Sequence, residues 1–196
     1  MNGTTTVSLV GVGGQGILLA AAALAGAALA EGLDVKASEV KGMSQRGGSV
    51  VSTVRFGPTV HSPLALHADV IIATELLEGR RALGALAPRG ILVCAGTRIA
   101  PAGVLRREAA YPEDIEQAAA ACGVRLLLVD ADGLAAQAGS AQAANIVLLG
   151  AASSVLPLAP PSWDRGLEAA VPAKMLEVNR RAFALGRQTH AGRGWD

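Results

Sequence analysis

The run Ser38-Glu39-Val40-Lys41-Gly42-Met43-Ser44-Gln45-Arg46-Gly47-Gly48 carries the densest chemistry in the chain. Glycines at 42, 47 and 48 permit positive φ and leave backbone N–H groups accessible. The Arg46 guanidinium can hold a carboxylate or phosphate through two parallel hydrogen bonds, and Ser44 and Gln45 add further donors and acceptors. Ser44, Gln45 and Arg46 are therefore the catalytic candidates, facing a cofactor or substrate. Glu39, Gly42, Met43, Gly47 and Gly48 would complete the binding set around them. The same composition suits a solvated turn whose arginine pairs locally, and composition alone leaves both readings open.

A second run, Gly11-Val12-Gly13-Gly14-Gln15-Gly16, follows an apolar stretch and opens an alanine-rich one. It satisfies G-x-G-x-x-G, in which glycines turn the backbone tightly and a helix start offers free N–H groups to an anion. Gly11, Gly13, Gly14, Gln15 and Gly16 form a candidate anion-facing turn. A dinucleotide site also needs an acidic residue near the end of the second strand, and Glu39 lies 23 positions past Gly16. Three uses remain open: nucleotide binding by this chain alone, contact with an anion or cofactor tail inside a complex, or service to the turn itself.

Other reactive residues are sparse. Glu75 and Glu78 follow a strand end and read as helix-start carboxylates that could also meet a ligand. His61, His67 and His190 have no partner at ligand spacing. Cys94 and Cys122 stand 28 positions apart without a C-x-x-C, so no metal set is expected and two reduced thiols are. No Ser-His-Asp or Cys-His arrangement is visible.

The elements that must position these runs follow from the apolar pattern. The 196 residues are 51% hydrophobic, 17% charged and 3% aromatic, which predicts a core built from Ala, Val, Leu and Ile. A chain of this length buries roughly two-thirds of its unfolded surface, so it needs neither metal nor disulfide to fold. A net charge of +1 without a basic stripe argues against nucleic acid. There is no signal-peptide pattern, and the apolar stretch 17–30 is too short to span a bilayer, which predicts a cytoplasmic chain with no membrane partner.

Strands are expected at 5–12, 35–40, 49–56, 68–74, 91–95 and 125–130, with a short hairpin return at 59–62 after Gly57-Pro58. Helices are expected at 15–30, 76–86, 112–122 and 135–156 (broken near Gly139), then 163–171 and 174–185 after a linker at 157–161. This alternation predicts a three-layer, Rossmann-like α/β fold with a mostly parallel, mixed sheet and helices on both faces. One domain is expected over 1–187, with a flexible tail at 188–196.

Together, GVGGQGILLA, the segment VKASEVKGMSQRGGSVVSTVRFG, Ser62-Pro63-Leu64, Ala68-Asp69, the run from Asn145 to Gly150 and Leu176-Glu177-Val178-Asn179 resemble one known family. It is the gamma domain of the pyruvate/2-ketoacid:ferredoxin oxidoreductases, and the likeness covers almost the whole chain. With no ferredoxin-type cysteine run, the sequence is most similar to the two-subunit indolepyruvate type. The resemblance implies a small subunit inactive alone, working with a large subunit that holds thiamine diphosphate, Mg and [4Fe–4S] clusters. It implies oxidative decarboxylation of a 2-oxoacid to an acyl-CoA, with electrons passed to ferredoxin. Two other classes stay open at this point: a stand-alone NAD(P)- or FAD-binding oxidoreductase, and a partner with a purely structural role.

Overall fold

The computed structural model describes residues 3–41 and 48–189. Six strands form one sheet: β1 (Thr5–Val12), β2 (Asp34–Lys41), β3 (Ser49–Gly57), β4 (Ala68–Ala73), β5 (Leu86–Ala95) and β6 (Arg125–Val129), in the order β2-β3-β1-β4-β5-β6. β1, β4, β5 and β6 run parallel, while β3 runs antiparallel to both β1 and β2. The expected mixed α/β sheet is present, but its antiparallel part is not where Gly57-Pro58 suggested. No strand forms at 59–62. The Arg55 guanidinium instead binds the carbonyls of Ser62 and Leu64 at 2.6 and 2.7 Å, and the Asp34 carboxylate takes the Val60 N–H at 2.8 Å. These side chains hold the groups a returning strand would have used. The hairpin is β2–β3, and the run 42–48 connects it.

Helix α1 (Ile17–Ala30) follows β1 and packs on β3 and β2. Next come α2 (Leu76–Ala82), α3 (Ala102–Leu105), α4 (Ile115–Ala121), α5 (Ala131–Ala138) and α6 (Ala144–Ala152), then α7 (Pro160–Ala170) and α8 (Leu176–Gln188). One core contains α1, α5, α6, α7 and α8 over one sheet face, and a smaller one lies under α2 and α4 on the other. The predicted 76–86 helix stops earlier, passing through a 3₁₀ turn at Leu83–Ala85 into a longer β5. That strand begins irregularly, with Arg89 at φ 65° after Pro88 and a register shift against β4. Gly139, at φ 106°, ends α5 and divides the predicted 135–156 stretch. The expected linker at 157–161 already contains the start of α7, whose first residue is Pro160.

With so few aromatic residues the helices must approach closely, and glycine lets them. At the α6–α8 crossing, a Cβ on Gly186 would overlap the Val147 carbonyl, and one on Gly150 would overlap the Phe183 carbonyl. Where α1 crosses α7, a Cβ on Gly166 would overlap the Ala23 carbonyl, and one on Gly26 would come within 3.1 Å of Gly166 Cα. Trp163 and Phe183 fill the space between, with ring centroids 5.4 Å apart. The Arg180–Asp164 pair joins α7 to α8 at the surface, and such exposed pairs add little stability. Gly186→Ala is therefore expected to destabilise the chain by about 1–3 kcal/mol despite alanine's better helix propensity. Gly84→Ala, where a Cβ meets nothing within 4 Å, should change stability little. Denaturant midpoints of the two variants test this, and equal midpoints would refute the close-crossing argument.

Candidate functional site

The turn after β1 is held by its neighbours. Gly13 N donates to the Gly48 carbonyl at 2.9 Å and Gln15 N to the Val12 carbonyl at 3.1 Å. Gly14 and Gly16 adopt φ of 103° and 73°, in the left-handed region that favours glycine. Gln15, read from sequence as anion-facing, turns its amide inward. Its Oε1 accepts from Val12 N at 2.8 Å and Thr74 Oγ1 at 2.7 Å, and its Nε2 donates to the Thr74 carbonyl at 3.1 Å. On the other side Asn145 Nδ2 donates to the Gly16 carbonyl at 2.8 Å, while Asn145 Oδ1 accepts from Ile146 N.

The N–H groups of Gly14, Gly16, Ile17, Leu18 and Leu19 have no acceptor among the described residues. Among the described residues no side chain caps the start of helix α1, and its first turn has no acidic residue. Unpaired amides at the positive end of a helix of this length attract an anion. Of these residues Gly14, Gly16 and Leu19 line a cleft of about 580 Å³. Leu148, Val171, Pro172 and Met175 give it an apolar wall, Asn179 is buried in its lining with Nδ2 bonded to the Met175 carbonyl, and Gln142 is exposed at its rim. The cleft opens at the carboxyl edge of the parallel strands, where α/β folds place ligands. Asp132 also lines the cleft, and its carboxylate accepts from Thr97 Oγ1 at 2.6 Å.

The predicted loop residues Gly42, Met43, Ser44, Gln45, Arg46 and Gly47 lie outside the described residues. Their flanks do not. Lys41, at the end of the edge strand β2, pairs with Val50 on β3, and the Gly48 carbonyl is bonded to Gly13 N, so the loop's return stem lies beside the glycine turn and its outgoing stem lies one strand further out. Glu39 sits in register with Ser52 of β3, which pairs in turn with Leu9 of β1. A dinucleotide fold places its acidic residue on the strand next to the glycine turn. Here β3 intervenes, so the spacing that suggested a nucleotide site does not produce its geometry.

The two strand-end carboxylates have structural tasks. Glu75 is buried; its Oε1 caps α2 by accepting from Glu78 N at 2.6 Å, and its Oε2 accepts from Tyr111 Oη at 2.7 Å. Burial, and then the bond to Glu75, push the Tyr111 hydroxyl above its ordinary range. Glu78 accepts from Ser49 Oγ at the loop's return stem and pairs with Arg81 at 2.6 Å. Among the described residues, no group of three or more His, Cys, Asp and Glu could hold a metal ion. Thr74, Gln142, Asn145 and Asn179 went unread as site residues in the sequence. The available signal was Asn145, the one polar residue in the apolar stretch 143–152.

The family of pyruvate ferredoxin/flavodoxin oxidoreductases matches residues 6–189. The chain belongs to this family. It is 38% identical over 187 residues to the indolepyruvate oxidoreductase subunit IorB of Thermococcus kodakarensis, covering 92% of this chain and 93% of that one. The figures are the same for the IorB subunit of Pyrococcus horikoshii. The fold is that of the keto/oxoacid ferredoxin oxidoreductase gamma subunit of Geobacter sulfurreducens, with TM-score 0.72, 22% identity, and 94% and 96% of the two chains covered. It also recurs as a part of the 2-oxoglutarate:ferredoxin oxidoreductase of Magnetococcus marinus, with TM-score 0.77, 19% identity, and 100% of this chain covering 32% of that one. The expected family and its reading as an oxidoreductase small subunit are met, and the stand-alone nucleotide-binding alternative finds no support.

The thiols differ sharply in setting. Cys94 is buried beneath α2, and burial followed by the negative charge of Glu75 pushes its thiol up to about 12. Cys122 is exposed. Because the thiolate is the reactive form, a disulfide reagent at pH 8 should titrate Cys122 alone in the native chain and both residues after denaturation. Rapid native reaction of two thiols would contradict the burial of Cys94.

Proposed function

We propose that the chain is the small, gamma-type subunit of a 2-oxoacid:ferredoxin oxidoreductase acting on indolepyruvate. Curated relatives carrying the indolepyruvate name match end to end, which favours an arylpyruvate over other 2-oxoacids. In this reading a 2-oxoacid and coenzyme A give an acyl-CoA and carbon dioxide, and ferredoxin takes the electrons. Two cysteines, one of them buried, cannot supply the four thiolates of a [4Fe–4S] cluster. The clusters, thiamine diphosphate and its Mg are therefore assigned to a large partner subunit, and thiamine diphosphate supplies the carbanion stabilisation when bound. Ferredoxin meets the complex through that partner. We assign the complex to the cytoplasm; no described helix is long and apolar enough to cross a membrane.

The observation that carries this chain's share is the row of unpaired amides at the start of α1, facing the cleft beside the stems of the 42–48 loop. An anionic part of coenzyme A suits that turn, with the rest of the ligand along the cleft. Gly11, Gly13, Gly14, Gln15 and Gly16 build the turn. Glu39, Gly42, Met43, Gly47 and Gly48 shape the neighbouring edge, and Ser44, Gln45 and Arg46 face the cofactor or substrate. The tail from 188 onward takes no part in this assignment.

The test is reconstitution with the large subunit. Neither chain alone should reduce ferredoxin with indolepyruvate and coenzyme A, and the pair should. Arg46→Ala should lower turnover of the pair at least about tenfold, or about 1.4 kcal/mol of barrier, without loss of assembly. Wild-type turnover in that variant would remove the loop from the mechanism. NAD(P)-dependent turnover by this chain alone would overturn the subunit reading.

A further inference from the structure

We propose that Thr74 and Gln15, with Asn145 opposite, are positioning residues that set the affinity for the anionic acyl acceptor by holding the glycine turn from inside. The inference rests on the reading that the acceptor's anionic part sits against the start of α1. The side chains come from three places: the end of β4, the turn itself, and the first turn of α6. Thr74 is 7% exposed and Asn145 3%, so neither is a surface group. Thr74 hands its proton to Gln15 Oε1 at 2.7 Å, and Gln15 returns a bond from Nε2 to the Thr74 carbonyl at 3.1 Å. Gln15 Oε1 also takes Val12 N, which fixes the last residue of β1 relative to the end of β4.

The glycines explain why this arrangement is specific. A Cβ on Gly11 would overlap Thr74 Oγ1 and crowd Gln15 Oε1, and one on Gly16 would overlap Asn145 Nδ2. The first and last glycines of the G-x-G-x-x-G run thus leave room for the internal side chains. What remains for the ligand is backbone: the amides of Gly14, Gly16, Ile17, Leu18 and Leu19, whose directions follow from how the turn is held. A turn with two left-handed glycines has many alternative conformations. The Thr74–Gln15 bonds on one side and the Asn145–Gly16 bond on the other select one of them. Amides aimed beforehand need not be reorganised when the anion arrives.

The test uses the reconstituted two-subunit enzyme and steady-state kinetics with coenzyme A varied. Thr74→Val keeps the shape and removes the proton. It should raise the KM for coenzyme A about three- to tenfold, the loss expected for one internal hydrogen bond, with kcat within about twofold. Thr74→Ser should restore the wild-type KM, because it returns the hydroxyl. A role in stability alone would shift the melting temperature without this split between KM and kcat. Should Thr74→Val fail to assemble, Gln15→Met removes the same bonds from the other partner and is held to the same expectation.

Gln142→Glu serves as the separate control. It is exposed on the cleft rim, away from the internal bonds, and adds a negative charge, so it should raise the KM for coenzyme A if an anion binds there. An unchanged KM in Gln142→Glu overturns the anion reading and this inference with it. A raised KM in Gln142→Glu alongside a wild-type KM in Thr74→Val overturns this inference alone. A serine variant that fails to rescue also overturns it.

Discussion

The antiparallel strand β3, set between β1 and β2, is the constraint on which the edge chemistry depends. In a regular βαβ unit the strand after α1 would lie beside β1, and its end would face the glycine turn directly. Here the hairpin puts β3 in that place. The connection between β2 and β3 therefore starts on the edge strand and ends next to the turn, where Gly13 N binds the Gly48 carbonyl. One backbone bond thus joins two segments that lie 35 positions apart in sequence. The same insertion moves Glu39 one strand away from the position that a ribose hydroxyl would need. A single topological choice favours contact between two glycine-bounded segments and disfavours a self-contained nucleotide site.

The packing behind the edge follows from the small side chains. Helices built mainly of alanine and leucine bury little area per residue, so they gain by approaching until backbones touch. Gly26 against Gly166 at one crossing, and Gly150 against Phe183 with Gly186 against Val147 at another, allow that approach. The first fixes α1 and the second fixes α6, the helix carrying Asn145. The positions of the Gly16 carbonyl and of the amide that binds it are therefore set by core contacts well below the cleft. This is the link from composition to site geometry: a core without large side chains gives closely seated helices, and such helices hold a turn with little play.

Much of this was legible in the sequence, and the parts that were not share a cause. Strand positions 5–12, 49–56 and 68–74 and the turn at 13–16 were readable because apolar runs and glycines are local signals. The loop 42–48 was readable as a ligand-facing candidate from its composition, though its central residues lie outside the described structure. What escaped was set by distant partners. The 59–62 return failed because Arg55 and Asp34 took the backbone groups it needed. Gln15 was read as facing outward because nothing local reveals a threonine 59 positions later that claims its amide. Asn145 binds Gly16 across 129 positions, beyond any pattern in a window of the chain.

The inward-facing side chains bear on how a multi-subunit enzyme can divide its work. A side chain that binds ligand directly must give up water and rotamer freedom when the ligand arrives, costing about 0.5–1.5 kcal/mol for each flexible group ordered. A backbone amide held by internal bonds has already lost that freedom on folding. For a guest carried mostly by another polypeptide, this chain need only offer fixed donors at the right edge. Its polar side chains then serve best by bonding to their own backbone, as Gln15, Thr74 and Asn145 do. Cys94 is buried where its thiolate is disfavoured, and Cys122 is exposed. An edge of backbone donors beside an apolar cleft wall suits the orienting of a bound ligand.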